Sequence, residues 1–214
     1  LRLQLARLGG QDDLDDVQVA RLCVLAALHD IGKFNQHFQN KGRLGATPRA
    51  GHVREVLWIF QDGRSEGERL LEALSVLNLG DWAEDDVAFR LLVAAVAHHG
   101  RPLPVDSPGV APEPRAWQSA HGLDPFAGVA RLARDAVAWF PDALKTGRPL
   151  PNTAAFQHGF AGVVMLADWL GSDRSPERFP FSEERDTDRI TFARGRAARA
   201  GASPRARPHT PTRL

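Results

Sequence analysis

Three apolar segments with helical spacing, and no run of alternating strand residues to pair with them, limit what this chain can fold into. Between Val17 and Leu28, the positions Val17, Ala20, Leu22, Val24, Leu25 and Leu28 form one broad apolar face. The stretch "DDVAFRLLVAAVAHH", residues 85–99, repeats the pattern and is stopped by Gly100, with Pro102 and Pro104 beyond. A third helix is expected from Thr153, a good N-cap, to Leu170, with Gly171 as its stop. Shorter helices are expected at 51–60, 65–77 and 127–140, between loops at 40–51 and 101–125 that are marked by Gly and Pro. With no internal repeat or coiled-coil heptad, the chain reads as all-α.

Its 214 residues suffice for one sizeable core. The charge balance, 27 basic against 26 acidic side chains, neither selects nor excludes a nucleic-acid partner. A single cysteine, Cys23, excludes an intrachain disulfide framework and favours a reducing compartment; it reads as a small core residue. No apolar run reaches the roughly 18 residues of a membrane span, and no signal-peptide pattern opens the chain. A cytoplasmic protein with no membrane partner is expected. From Arg194 to Leu214 there are six arginines, three prolines and no acidic residue. The expected organisation is therefore a domain over 1–193 and, over 194–214, a disordered tail or linker that is either solvated or touches nucleic acid.

Chemistry-bearing residues gather near helix ends: His29-Asp30, His52, His98-His99, and Asp168 in "MLADWLGS". Histidine suits borderline transition metals, and a carboxylate can bridge two cations. Adjacent ligands on one helix point about 100° apart, so Asp30 could lie between two ions while His29 serves one. A metal pair about 3.5–4 Å apart can clamp a phosphodiester and activate water for its hydrolysis. Each element has a plain alternative. An HD dipeptide occurs by chance, two histidines can cap a helix C-terminus, and His52 can simply start a helix. Asp168 inside an apolar helix is harder to dismiss, because a buried carboxylate without partners is expensive. His37, His121 and His209 read as solvated, and His158 as a possible neighbour of Asp168. Trp82, Trp117, Trp139 and Trp169 could stack bases but pack by default.

Taken together, "LHDIGK" with "FQ" behind it, His52 placed 23 residues after His29, "AHHGRP" and "VVMLADWLGSD" with "FPF" after it resemble the HD superfamily of metal-dependent phosphohydrolases. More narrowly they are similar to the HD nuclease domain of the CRISPR-associated helicase-nuclease of type I systems, over roughly Val17 to Ala200. The resemblance implies an all-helical HD-domain bundle with two divalent transition-metal ions that cuts single-stranded DNA in antiviral defence. It also implies a CRISPR surveillance complex and a helicase domain or subunit as partners. Carried over by position, His29 and Asp30 are the HD ligands, with Asp30 bridging; His52, His98 and His99 complete one metal, and Asp168 binds the other. Lys33 could meet a substrate phosphate or be a solvated lysine. Manganese, iron, cobalt, nickel and zinc all suit the donor set. The family pattern has a further histidine on a helix ahead of the HD pair, and residues 1–28 contain none. Either an N-terminal segment is missing from a chain that starts at Leu1, or one metal site is incomplete. Hydrolysis of small nucleotides, and an inactive remnant that only binds nucleic acid or a CRISPR complex, are the competing functions.

Overall fold

The computed structural model describes residues 1–60, 64–99, 114–175, 179 and 189–202. Its helices are α1 (Arg2–Leu8), α2 (Asp16–Ala27), α3 (Gln36–Gln39), α4 (Val53–Ile59), α5 (Ser65–Ala73), α6 (Val87–Val96), α7 (Pro125–Trp139), α8 (Ala154–Gly171) and α9 (Arg189–Ala202). Among the described residues there is no strand, only an isolated bridge between Ala120 and Leu123. The fold is an all-α helical domain, as the apolar spacing requires. The chain divides into two compact units, Leu1–Met165 and Leu166–Leu214.

In the first unit, α2 lies at the centre and packs against α6, α7 and the 3-10 turn Pro141–Leu144. Leu25, Leu28, Ile31, Ile59, Leu91 and Val129 are sealed from solvent in one core. The buried face of α2 includes two residues that its apolar spacing does not mark, Gln18 and Arg21. Arg21 is tolerated because carbonyls replace its water. Its guanidinium donates to Ala143 O at 3.2 Å, Lys145 O at 3.0 Å, Arg148 O at 3.1 Å and Trp82 O at 3.4 Å. One buried side chain thus fastens the 143–148 loop to the central helix.

The start of α2 is set by a capping box. Asp15 Oδ1 accepts from Gln18 N at 2.7 Å, and Gln18 Oε1 accepts from Asp15 N at 2.9 Å. Asp15 Oδ2 also accepts from Arg148 N at 3.1 Å and Arg148 Nε at 3.3 Å. Burial alone would raise the Asp15 carboxyl, but the Gln18 and Arg148 donors hold it below its ordinary value of 3.8. A depressed folded-state pKa makes this stabilisation complete at neutral pH and progressively lost as acid protonates the carboxylate. Asp15→Ala is expected to cost about 1–2 kcal/mol at pH 7. Thermal melts should show the gap to wild type narrowing at pH 3; a gap equal at both pH values contradicts the assignment.

Element ends differ from the sequence expectations in informative ways. Helix α6 stops at Val96, two residues short of His98, and α2 stops at Ala27. His29-Asp30 and His98-His99 therefore occupy turns rather than helix. Helix α1 had no counterpart in the apolar pattern; Gly9 and Gly10 close it, Gly10 with φ 71°. Gly100 and most of the 101–125 loop lie outside the described residues, while Pro114–Trp117 forms a 3-10 turn whose Trp117 is buried.

In the second unit, α8 ends at Gly171 and Ser175 N donates to Asp173 Oδ1 at 3.0 Å. Of the tail expected from Arg194, residues 194–202 belong to α9. Alanine and arginine are strong helix formers, and the first helix-breaking proline of this stretch is Pro204. Residues 203–214, His209 among them, lie outside the described residues.

Candidate metal centre

Two helix C-termini deliver histidine in the same way. The last carbonyls of a helix lack intrahelical partners. In α2, His29 follows the C-cap Leu28 and its Nδ1 lies 2.7 Å from Ala26 O. In α6, His98 follows the C-cap Ala97 and its Nδ1 lies 3.1 Å from Ala95 O and 3.1 Å from Val96 O. A carbonyl can only accept, so Nδ1 carries the proton in both rings, and in the neutral ring the lone pair is on Nε2. The helix ends are capped by the rings they present, and capping fixes the tautomer a cation needs.

The rings converge. The His29 and His98 centroids are 4.8 Å apart, His98 and His99 4.2 Å, and His52 and His99 4.9 Å. His52 is the N-cap of α4 and its Nε2 lies 3.0 Å from His99 Nε2. Asp30 stands between the sets: Oδ2 is 3.2 Å from His29 Nε2, and Oδ1 is 3.4 Å from His52 Nε2. Lys33 Nζ also pairs with Asp30 Oδ2. Two groupings have mutual distances suited to one ion each: His52 with His98 and His99, and His29 with Asp30 and His98.

Electrostatics match these donors. Burial pulls the Asp30 carboxyl upward, yet hydrogen bonds and charge from His29 and Lys33 outweigh it and hold the group well below the usual carboxylate range. Burial first, and then Lys33, His99 and His98, push His52 down to about 4 against the pull of Asp30. His52 is therefore a neutral imidazole at neutral pH, the form that ligates metal. Asp30 Oδ1 is buried and accepts no hydrogen bond. An anionic oxygen without a donor, facing the neutral His52 imidazole, is a donor set that a divalent transition-metal cation satisfies.

The seating of His52 depends on residues outside the ligand set. An added Cβ at Gly32 would lie 1.7 Å from His52 O, so the backbones of the two ligand segments touch there. Phe38 meets the His52 ring edge-on, with centroids 5.3 Å apart. Gln39 Nε2 donates to Lys33 O at 2.6 Å. The "GK" and "FQ" pairs are thus parts of one scaffold around Asp30 and His52. Buried Asn35 belongs to it as well; an Asn at a helix start was the only local signal for it.

Other expectations separate. Asp168 lies on the part of α8 that belongs to the second unit, where Ser172 Oγ donates to Asp168 Oδ1 at 3.4 Å. His37, expected to be solvated, is buried, and its carbonyl accepts from Ala50 N at 3.2 Å. His121 occupies an exposed turn with φ 53°, and His158 is exposed on α8. Trp82 and Trp117 are core residues, whereas Trp169 is 75% exposed.

An all-helical domain that turns a His-Asp pair and a His-His pair toward each other defines an HD-type domain. Compared with known families, the model described as "Cas3, HD domain" matches residues 2–176. The chain belongs to that family. Membership implies a hydrolase of nuclease type, acting on nucleic acid in a CRISPR context. Neither the curated proteins nor the solved structures yield a match. No helix among the described residues is long and apolar enough to cross a membrane.

Proposed function

We propose that this chain is a metal-dependent endonuclease that hydrolyses single-stranded DNA phosphodiesters in type I CRISPR interference, in the cytoplasm and as part of antiviral defence. The observation that carries the reading is the convergence of four imidazoles on Asp30, whose buried Oδ1 accepts no hydrogen bond. In this reading two divalent ions would be held, one by His52, His98 and His99 and the other by His29, with Asp30 shared. Asp168 is assigned to the second ion on the family pattern. Bound ions of this kind supply Lewis-acid stabilisation to a phosphodiester undergoing hydrolysis.

The protein's own groups prepare the site. His29 and His98 are held as Nδ1–H tautomers by their helix carbonyls, which aims each Nε2 inward without further ordering. Asp30 stays ionised throughout the physiological range. Lys33 neutralises it while the site awaits substrate, and an incoming phosphate offers Lys33 a second anion to engage. His52 and His99, 3.0 Å apart, share one N–H···N contact when no cation lies between them. The surveillance complex and a helicase domain or subunit are the partners this reading implies.

The test separates nuclease from nucleotide hydrolase. Chelator-treated protein should leave single-stranded DNA intact, and readdition of manganese, cobalt or nickel should restore cleavage while mononucleotides persist. Cleavage that survives chelation, or a preference for mononucleotides, overturns the proposal.

A further inference from the structure

The two chain segments that carry the centre are joined by a side chain outside the ligand set. Asn35 is sealed from solvent. Its Nδ2 donates to Gly32 O at 2.7 Å and to Gly51 O at 2.9 Å, while its Oδ1 accepts from Phe38 N at 2.8 Å. Both amide hydrogens are thus committed to carbonyls on different segments. Gly32 follows Asp30 by two residues, and Gly51 immediately precedes His52.

We propose that Asn35 is a positioning residue whose carboxamide sets His52 in register with the His29–Asp30 turn. This rests on the metal-centre reading above. Asparagine is the short side chain that offers two donors and an acceptor together. Serine could keep the cap on Phe38 N but could not bridge two carbonyls. Aspartate could keep the cap but would turn an acceptor toward them. Other bonds join neighbouring parts of these segments: Ala50 N donates to His37 O at 3.2 Å, and Asn40 Nδ2 to Pro48 O at 2.9 Å. Losing the Asn35 bridge therefore frees the last residues before His52 while leaving the loop attached. The seam it spans is also where Gly32 meets His52 O, so a small shift there moves a ligand directly.

The experiment titrates cobalt(II) into the chelator-stripped full chain and follows visible absorption, together with thermal melting. Wild type is compared with Asn35→Ser, Asn35→Asp and Asp124→Ala. Asp124 caps α7 by accepting from Phe126 N at 2.9 Å and Ala127 N at 3.4 Å, and so reports the loss of a cap that does not bridge the two ligand segments. Asn35→Ser should remain folded, bind cobalt about 10- to 100-fold more weakly and show an altered ligand-field spectrum. Asn35→Asp should do the same and serves if the serine variant does not fold. Asp124→Ala should melt lower with wild-type cobalt affinity. A folded Asn35 variant with wild-type affinity and spectrum overturns the positioning role, as does an Asp124→Ala loss of affinity equal to that of Asn35→Ser. Failure of wild type to bind cobalt overturns the metal-centre reading instead, and this inference with it.

Discussion

Asp30→Ala is expected to lower metal-dependent DNA cleavage by at least about 100-fold while leaving the helical fold in place. The loss follows from what Asp30 alone provides. It is the carboxylate shared between the imidazoles, with Oδ2 at His29 and Oδ1 at His52. Without it His29, His52, His98 and His99 offer nitrogen donors only, and the carboxylate charge at their centre is gone. The fold should survive because the segment keeps its backbone bonds: Ile31 N donates to Leu28 O at 3.1 Å, and the buried Ile31 anchors the turn. Lys33 loses its partner but is partly exposed, so solvent takes over at little cost. Metal analysis, circular dichroism and cleavage under metal-controlled conditions check the three parts together. Equal cleavage by variant and wild type would remove Asp30 from the centre.

Gly32→Ala should be the most damaging single methyl added to this chain near the site. Contacts under 3.0 Å at a Cβ essentially never occur, and here the new carbon would lie 1.7 Å from His52 O and 2.7 Å from His52 C. The two ligand segments must then part by about 1.3 Å, the difference between 3.0 and 1.7. Neither neighbour is a flexible side chain, so backbone must move. Overpacking of this kind costs about 1–3 kcal/mol. The functional loss should be larger, because an error near 1 Å in a reacting group costs on the order of 100-fold. Gly42→Ala is the matched control, since an added Cβ there meets nothing within 4 Å. A Gly32→Ala protein that melts and binds metal as the Gly42→Ala protein does would show that the two segments move independently.

The all-α class and the positions of the long helices were legible from the spacing of apolar residues, because burying one face of a helix demands that spacing and strands demand another. The histidines and Asp30 were legible too, as polar groups set where helices end. Their chemistry was local in type but not in arrangement. That His29 and His98 cap their own helices and so adopt matching tautomers depends on where α2 and α6 stop, which apolar spacing does not specify to the residue. Nor could spacing anticipate that Arg21 would be buried, since its burial is made tolerable by carbonyls from the distant 143–148 loop and Trp82.

What the sequence by itself determined is the inventory: an all-helical chain, two acids and four imidazoles near helix ends, and a glycine and an asparagine among them. Only the tertiary structure decided that Gly32 touches His52, that Asn35 spans both ligand segments, and that Trp169 is the exposed tryptophan while Trp82 and Trp117 fill the core. The physical reason is that these facts depend on contacts between segments far apart along the chain. Such contacts are selected by packing and by satisfying buried carbonyls, and neither leaves a periodic trace in the residues that make them.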